Sequence, residues 1–527
     1  MGEKSPKGFF VELMLYLAFV FHMHQPYYKD LLTGEVSLPW VRLHGVKDYL
    51  DMVGMLEGYP NIHQTFNLVP SLVQQLEDYT EGKVKDKFLE LSLKPAKELS
   101  QEEKEFILKN FFMISKEKFI SLFPRYYELH IKRHKNMPFN EEDYRDLQAW
   151  FNLSWIDPYF RKKIPELQAL VQKARFFSEE DKGIILDKQI EILKGIIPAY
   201  KKFLSSEQIE VTTSPYYHPI LPLLYNTNIA KEANTRTRLP KNNFSYPLDA
   251  RTQVLDAVKF YQDRFGQAPL GMWPSEEAVS EHILPFIIEA GLKWIIADEA
   301  LLFKSRKLKK RDPGALYQPY LLKREEGAIN IIFRDRNLSD LIGFTYHAWK
   351  AEAAVDDFMR HLENISLAFK AKDTLVTVAL DGENAWEYYT NDGHDFLELL
   401  YARLSESKSV KASTVSEYLN MHPAKLEIGR LASGSWIHGN FNKWLDNPAK
   451  VKAWEYLKEA RDALAQITNS ANGAMAWKQM YILEGSDWFW WFGEDPTGDF
   501  DRLFRMHLKN LYTIIGKQAP EYLNSPL

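Results

Sequence analysis

The chain has 527 residues, a formal net charge of −5 and no cysteine. That length exceeds one compact core and predicts two or three domains. The mildly acidic balance gives no basis for binding nucleic acid or an anionic membrane surface, and the missing cysteines exclude disulfides, thiolate metal sites and a cysteine nucleophile. Aromatic residues are abundant, with 14 Trp, 27 Tyr and 32 Phe, which suits either a large apolar interior or a cleft whose rings stack on sugars.

The amino terminus imitates a secretory signal, with a basic start and an apolar run, but Glu12 interrupts the run and no small-residue cleavage site follows. Leu15–Phe21 is therefore read as the first strand, with Met14 a candidate start and the preceding residues an extension. No other stretch is long and uncharged enough to span a membrane. Six further short apolar runs read as strands: Ile62–Leu68, Ile209–Thr213, Leu270–Trp273, Trp294–Ala297, Ile329–Phe333 and Leu375–Leu380. Several are followed by amphipathic segments, such as Ala257–Phe265 and His282–Ala290. This alternation predicts a parallel sheet closed, or nearly closed, into a barrel.

Between the second and third runs, residues 70–205 are rich in Lys and Glu, with Phe106, Leu108, Phe111, Phe112, Ile114, Phe119 and Leu122 at helical spacing. Ile184–Ile197 repeats that texture, so the segment is predicted to be a helical insertion packed on the barrel. Beyond residue 420 the strand texture ends. Val451–Gln466, Gly473–Leu483 and Asp501–Gly516 predict a carboxy-terminal helical domain. The expected division is a catalytic domain over residues 1–420 and a helical domain over residues 421–527 that contributes to the cleft.

Two strand ends carry acids. Asp381-Gly382-Glu383 closes the run VTVAL, and Trp273-Pro274-Ser275-Glu276 follows the fourth strand. Barrel enzymes keep their chemistry at the carboxyl ends of strands. Glycoside cleavage needs two carboxyl groups flanking the bond, about 5–5.5 Å apart when configuration is retained. Glu276 and Asp381 are thus the candidate catalytic pair. The same residues also suit structural roles, Glu276 and Glu277 in the first turn of a helix and Asp381 as a helix cap.

Further candidates surround them. His22 and His24 sit at i and i+2 at the end of the first strand, a spacing open to a metal site with His218 or His347, or to hydrogen bonds with sugar hydroxyls. The hydroxyl reading is preferred, so neither metal nor cofactor is expected. Glu210 ends the third strand and Arg334 the sixth. Trp273, Trp386, Trp436 and Trp488 are candidate sugar platforms, and Asp487 a hydroxyl ligand.

With these residues the chain resembles glycoside hydrolase family 57, a family of retaining α-glucan enzymes recognised by five ordered motifs. His24-Gln25-Pro26 resembles the first, Glu210-Val211-Thr212 the second, Trp273-Pro274-Ser275-Glu276 the third, Asp381-Gly382-Glu383 the fourth and Asp487-Trp488 the fifth. The resemblance implies Glu276 as nucleophile and Asp381 as acid/base. It also implies an incomplete (β/α)7 barrel with a helical insertion and a carboxy-terminal α-helical bundle. The segments around Thr213–Pro219, Gly434–Asn442 and Gly485–Gly493 are most similar to the amylopullulanase and α-amylase branch. Extra carbohydrate-binding or anchoring modules, usual in amylopullulanases, are lacking. The expectation is a compact cytoplasmic α-glucan hydrolase, monomer or homodimer, needing no cofactor. Alternatives are a 4-α-glucanotransferase or branching enzyme of the same family, a zinc-dependent α-mannosidase or deacetylase-like barrel, and a non-catalytic glucan-binding protein.

Overall fold

A computed structural model describes residues 14–370, 372–466 and 472–527. The reading of residues 1–13 as an extension therefore lies outside the described residues. Seven parallel strands form the barrel: β1 (Leu15–Met23), β2 (Gln64–Leu68), β3 (Ile209–Thr212), β4 (Gly271–Met272), β5 (Trp294–Asp298), β6 (Gly327–Arg334) and β7 (Thr374–Asp381). Each lies on one of the seven runs predicted as strands. Their interiors are almost wholly buried. Strands covered on both faces show no polar alternation, and this is why they appear as continuous apolar runs.

The ladder runs β7–β1–β2–β3 and β4–β5–β6, joined by a parallel bridge between Thr213 and Met272. Between β6 and β7 no ladder forms. The closing edge is held instead by Asp335 N–H donating to Thr377 C=O at 2.7 Å and Ala379 N–H donating to Ser339 Oγ at 3.1 Å. The barrel is incomplete, as the resemblance implied. A strand at Tyr320–Arg324 runs antiparallel to β6, and Val410–Ala412 pairs with the first residues of β1.

Strand alternation divides the core. Ala18 and Val20 of β1, Trp294 and Ile296 of β5, Ile332 of β6, and Leu375 and Ala379 of β7 pack with Trp273 as one buried cluster inside the barrel. Val415, Tyr418 and Leu419, from the helix Val415–Met421 that follows Val410–Ala412, join that cluster at the amino-terminal end. Small side chains on β1 and β7 leave room for two tryptophans. Gly271 is part of the same fit, because a Cβ there would lie 2.2 Å from the Trp294 ring. Gly271→Ala is therefore expected to lower stability by about 1–3 kcal/mol, the usual cost of overpacking. An unchanged denaturation midpoint would show that Trp294 yields freely.

Residues 70–205 form eight α-helices, from Pro70–Thr80 to the long Glu179–Ser205. Reciprocal capping boxes open three of them, at Ser100, Asn140 and Ser178. Buried Arg42 ties this insertion to the barrel side by donating to Asp86, Asn152 and Gln189. The last hundred residues supply the helices Pro448–Ala465, Gly473–Leu483, Ser486–Trp491 and Asp499–Ile514, which pack on one another. Among the described residues no helix is long and apolar enough to cross a membrane.

Candidate active site

The carboxyl ends of the strands build the site. β1 and β7 pair in register so that His22 stands beside Asp381. Gly382 follows, its N–H donating to His22 C=O at 2.8 Å, and a Cβ on it would lie 2.2 Å from Met23 Sδ. Glycine is thus required for β1 and β7 to approach where Asp381 leaves the sheet. After β4, Glu276 and Glu277 both adopt left-handed backbone, with φ of 59° and 50°. A side chain in that region costs about 1–3 kcal/mol and is retained where surrounding structure imposes it. Trp436 imposes it here, its backbone N–H donating to Glu276 C=O at 3.2 Å and its indole Nε1–H to Glu276 Oε2 at 2.9 Å. Glu276 is thereby aimed into the cleft, while Glu277 is wholly buried and neither of its carboxyl oxygens has a hydrogen-bond partner among the described residues.

Two adjoining cavities meet at Asp381. One, of about 970 Å³, is lined by His22, His24, His218, Glu276, Asp381 and Asp487 among others. The second, of about 780 Å³, is lined by Arg334, Arg336, Phe344, His347 and Ile437. Asp381, Asn384, Tyr388, Trp436 and Trp490 belong to both walls. The result is a groove continuing on both sides of Asp381, with aromatic rings along it.

Burial sets the protonation of the pair. It raises Glu276 to about 8, reinforced by the neighbouring Asp381 charge and opposed by the Trp436 hydrogen bond. Asp381 is raised as well, again by burial, against the Asn384 hydrogen bond and the charges of His24 and Arg334. With Glu276 raised to about 8, the two acids carry at least one proton at neutral pH. A reaction that needs one carboxylic acid and one carboxylate then loses activity as pH rises through about 8 and the last proton leaves. Trp436→Phe removes the indole donor that favours ionised Glu276, so the alkaline limb of kcat/KM is expected to move to higher pH. The pH profiles of the two proteins check this; an unmoved limb would detach it from Glu276.

Polar neighbours are organised around the acids. His24 Nε2 lies 2.9 Å from Asp487 Oδ1, and Glu383, held neutral by burial and by Asp381, accepts from His24 N–H and Gln25 Nε2 at 3.3 Å each. His22 Nδ1 is 2.6 Å from Asn67 Oδ1. One donor atom from each of His24, His218 and Asp487 lies within 4.8 Å of the other two, a spacing a metal ion would accept. Asp51, Asp157 and His394 form a similar group, fully buried away from the cleft.

Of the residues expected from the sequence, Glu276, Asp381, His22, His24, Arg334, Trp436 and Asp487 come together on the groove. Four others do not reach it. Glu210 points into the opposite end of the barrel, where it accepts from Trp294 Nε1 at 2.9 Å and from the N–H and hydroxyl of Ser416. It closes the barrel floor and is out of reach of a sugar at the mouth. Trp273 is fully buried, stacked on His22 at 4.8 Å and edge-on to Trp436 at 5.5 Å, so it supports the wall from behind. Trp386 is buried under the β7 turn with Nε1 donating to Gly382 C=O, and Trp488 donates to Ile482 C=O inside the helical layer. Neither ring has a free face. Aromatic groove residues missed in the sequence include Tyr388, Trp490 and Trp491, with Tyr28, Trp40, Trp155 and Phe500 further along the same wall. For Trp490 and Trp491 a signal was present: on the helix Ser486–Trp491 they are i+3 and i+4 from Asp487 and share its face, whereas Trp488 and Phe489 point inward.

A barrel mouth with two acids from separate strands, set in an aromatic groove, is suited to cleaving glycosidic bonds. Residues 18–429 match the family described as glycosyl hydrolase family 57. The chain is 25% identical over 256 residues to α-amylase 1 of Dictyoglomus thermophilum, a match covering 48% of this chain and 32% of that enzyme. Its fold is similar to that of a branching enzyme from Thermococcus kodakaraensis, with TM-score 0.60, 17% identity and coverage of 95% of this chain and 90% of the other. It is also similar to an α-amylase from Thermotoga maritima, with TM-score 0.59, 15% identity and coverage of 97% and 96%. The chain belongs to glycosyl hydrolase family 57. The matched region spans about a third of the length of the curated amylases it resembles.

Proposed function

We propose that this chain hydrolyses α-1,4-linked glucans with retention of configuration, Glu276 acting as nucleophile and Asp381 as acid/base. The carrying observation is that Glu276, after β4, and Asp381, at the end of β7, line one cavity, and that the groove continues beyond Asp381 into a second. A chain of sugars laid through that groove places a glycosidic bond between the acids. Asp381 donates its proton to the leaving oxygen while ionised Glu276 attacks the anomeric carbon. The Trp436 indole N–H stabilises that carboxylate, and the bonded glycosidic oxygen favours the arrangement with the shared proton on Asp381. After the first sugar leaves, Asp381 takes a proton from water, which displaces Glu276 from the anomeric carbon. His24 and Asp487 lie where they bond sugar hydroxyls, and Trp436, Tyr388 and Trp490 supply ring faces. Similarity to an α-amylase supports the α-glucan substrate.

The test is product analysis after incubation with maltoheptaose, amylose and pullulan, with the anomeric configuration read by NMR before mutarotation. Shorter oligosaccharides with initial α configuration are the expected result. Chains longer than maltoheptaose would assign transfer to a sugar hydroxyl, and α-1,6 cleavage of pullulan would widen the bond preference. No reducing-end release from any of the three would overturn the proposal.

A further inference from the structure

Three imidazoles stand together at the mouth of the barrel, and the proposed reaction gives no task to one of them. His218 stacks on His24 at 4.0 Å between ring centroids and on His22 at 5.0 Å. It is buried, with its backbone in the left-handed region at φ 57°.

One ring nitrogen of His218 is engaged by a neighbour and the other is not. His218 Nδ1 is 3.0 Å from Ser486 Oγ. His218 Nε2 is buried and without a hydrogen-bond partner among the described residues. Ligating histidines are commonly oriented in this way, the second ring nitrogen donating to a neighbour while the first presents its lone pair.

His218 also belongs to a group in which one donor atom each from His24, His218 and Asp487 lies within 4.8 Å of the others. His24 Nε2 faces both Asp487 oxygens, at 2.9 and 3.1 Å. We propose that His24, His218 and Asp487 form a binding site for a divalent transition metal of the zinc type, seated in the groove beside Glu276 and Asp381. Two imidazole nitrogens and one carboxylate suit zinc, cobalt or nickel, whereas calcium and magnesium take shells built almost wholly of oxygen. Three protein ligands leave one position open toward the cleft. A metal there occupies the place where His24 and Asp487 would meet sugar hydroxyls, so it competes with glucan. The competition rests on the proposed function; metal binding itself does not.

The test is titration of metal-free protein with cobalt(II), read by the visible absorption of tetrahedral cobalt and by calorimetry. Saturable binding of one equivalent with tetrahedral bands is expected. Those bands should vanish in His218→Ala, and binding should weaken at least tenfold in Asp487→Asn, which keeps the side-chain shape. Ser486→Ala, which frees the tautomer of His218, should weaken binding about 10–100-fold, as loss of a ligand-orienting partner does elsewhere. Folding of each variant is checked by circular dichroism. Wild-type protein without tetrahedral bands, or a folded Asp487→Asn variant binding cobalt as wild type does, would overturn the site. Cobalt binding without sugar release from any glucan would sink the hydrolase reading and leave the metal site standing. Sugar release without cobalt binding would do the reverse.

Discussion

Glu276→Gly is expected to reduce glucan turnover by at least about 10⁴-fold, equivalent to about 5.5 kcal/mol of barrier, while improving the stability of the fold. Both effects follow from the same geometry. The residue sits at φ 59°, a conformation open to glycine without penalty, and its carboxyl is pushed up to about 8 by burial and by Asp381. Removing it relieves backbone strain and a costly buried acid together, so thermal unfolding should shift upward as activity disappears. Sites that sacrifice stability for chemistry behave in this way. Azide should partly restore turnover of an α-glucosyl fluoride, because the small anion enters the vacated space and attacks from the nucleophile's side. The product would be a β-glucosyl azide, of opposite configuration to the hydrolysis product. Undiminished hydrolysis by the folded variant would remove Glu276 from the mechanism.

Asp381→Ala should separate substrates by their leaving groups. Proton donation contributes about 10²–10⁴-fold, and a sugar alkoxide cannot leave without it. Maltooligosaccharide hydrolysis is therefore expected to fall by that factor. A dinitrophenyl α-glucoside, whose leaving group departs as an anion, should still glycosylate Glu276 at near wild-type rate and then stall, because the activated water also needs Asp381. A burst of dinitrophenol followed by slow release is the signature. An equal loss on both substrates would deny Asp381 the acid role.

The barrel was legible because its strands are buried on both faces: runs such as Leu15–Phe21 and Leu375–Leu380 have no other use for so many consecutive apolar residues. The acids were legible because they end such runs. What the sequence concealed is direction. Glu210 lies at a strand residue like the others, yet its partners Trp294 and Ser416 mark the barrel floor. Trp386 and Trp488 adjoin the acid motifs along the chain but turn their rings inward, since neighbours in sequence diverge in space on a turn or a helix. The left-handed backbone at Glu276 and Glu277 carries no composition signal, because neither residue is glycine or asparagine, and at Glu276 it is held by tertiary contacts with Trp436. The same holds for the contact between the Ser486 hydroxyl and His218, which joins residues far apart in the chain. Periodicity reports burial; it does not report which distant element covers a given face.

The central claim is that Glu276 becomes covalently bonded to sugar. The direct measurement is mass spectrometry of peptides after brief exposure to a fluorinated α-glucosyl fluoride, which forms the covalent intermediate faster than water removes it. The account predicts one glycosyl adduct on the peptide containing Glu276, chased off by maltose and absent from Glu276→Gln. An adduct on a different acid, or turnover of the reagent with no adduct at all, would contradict it.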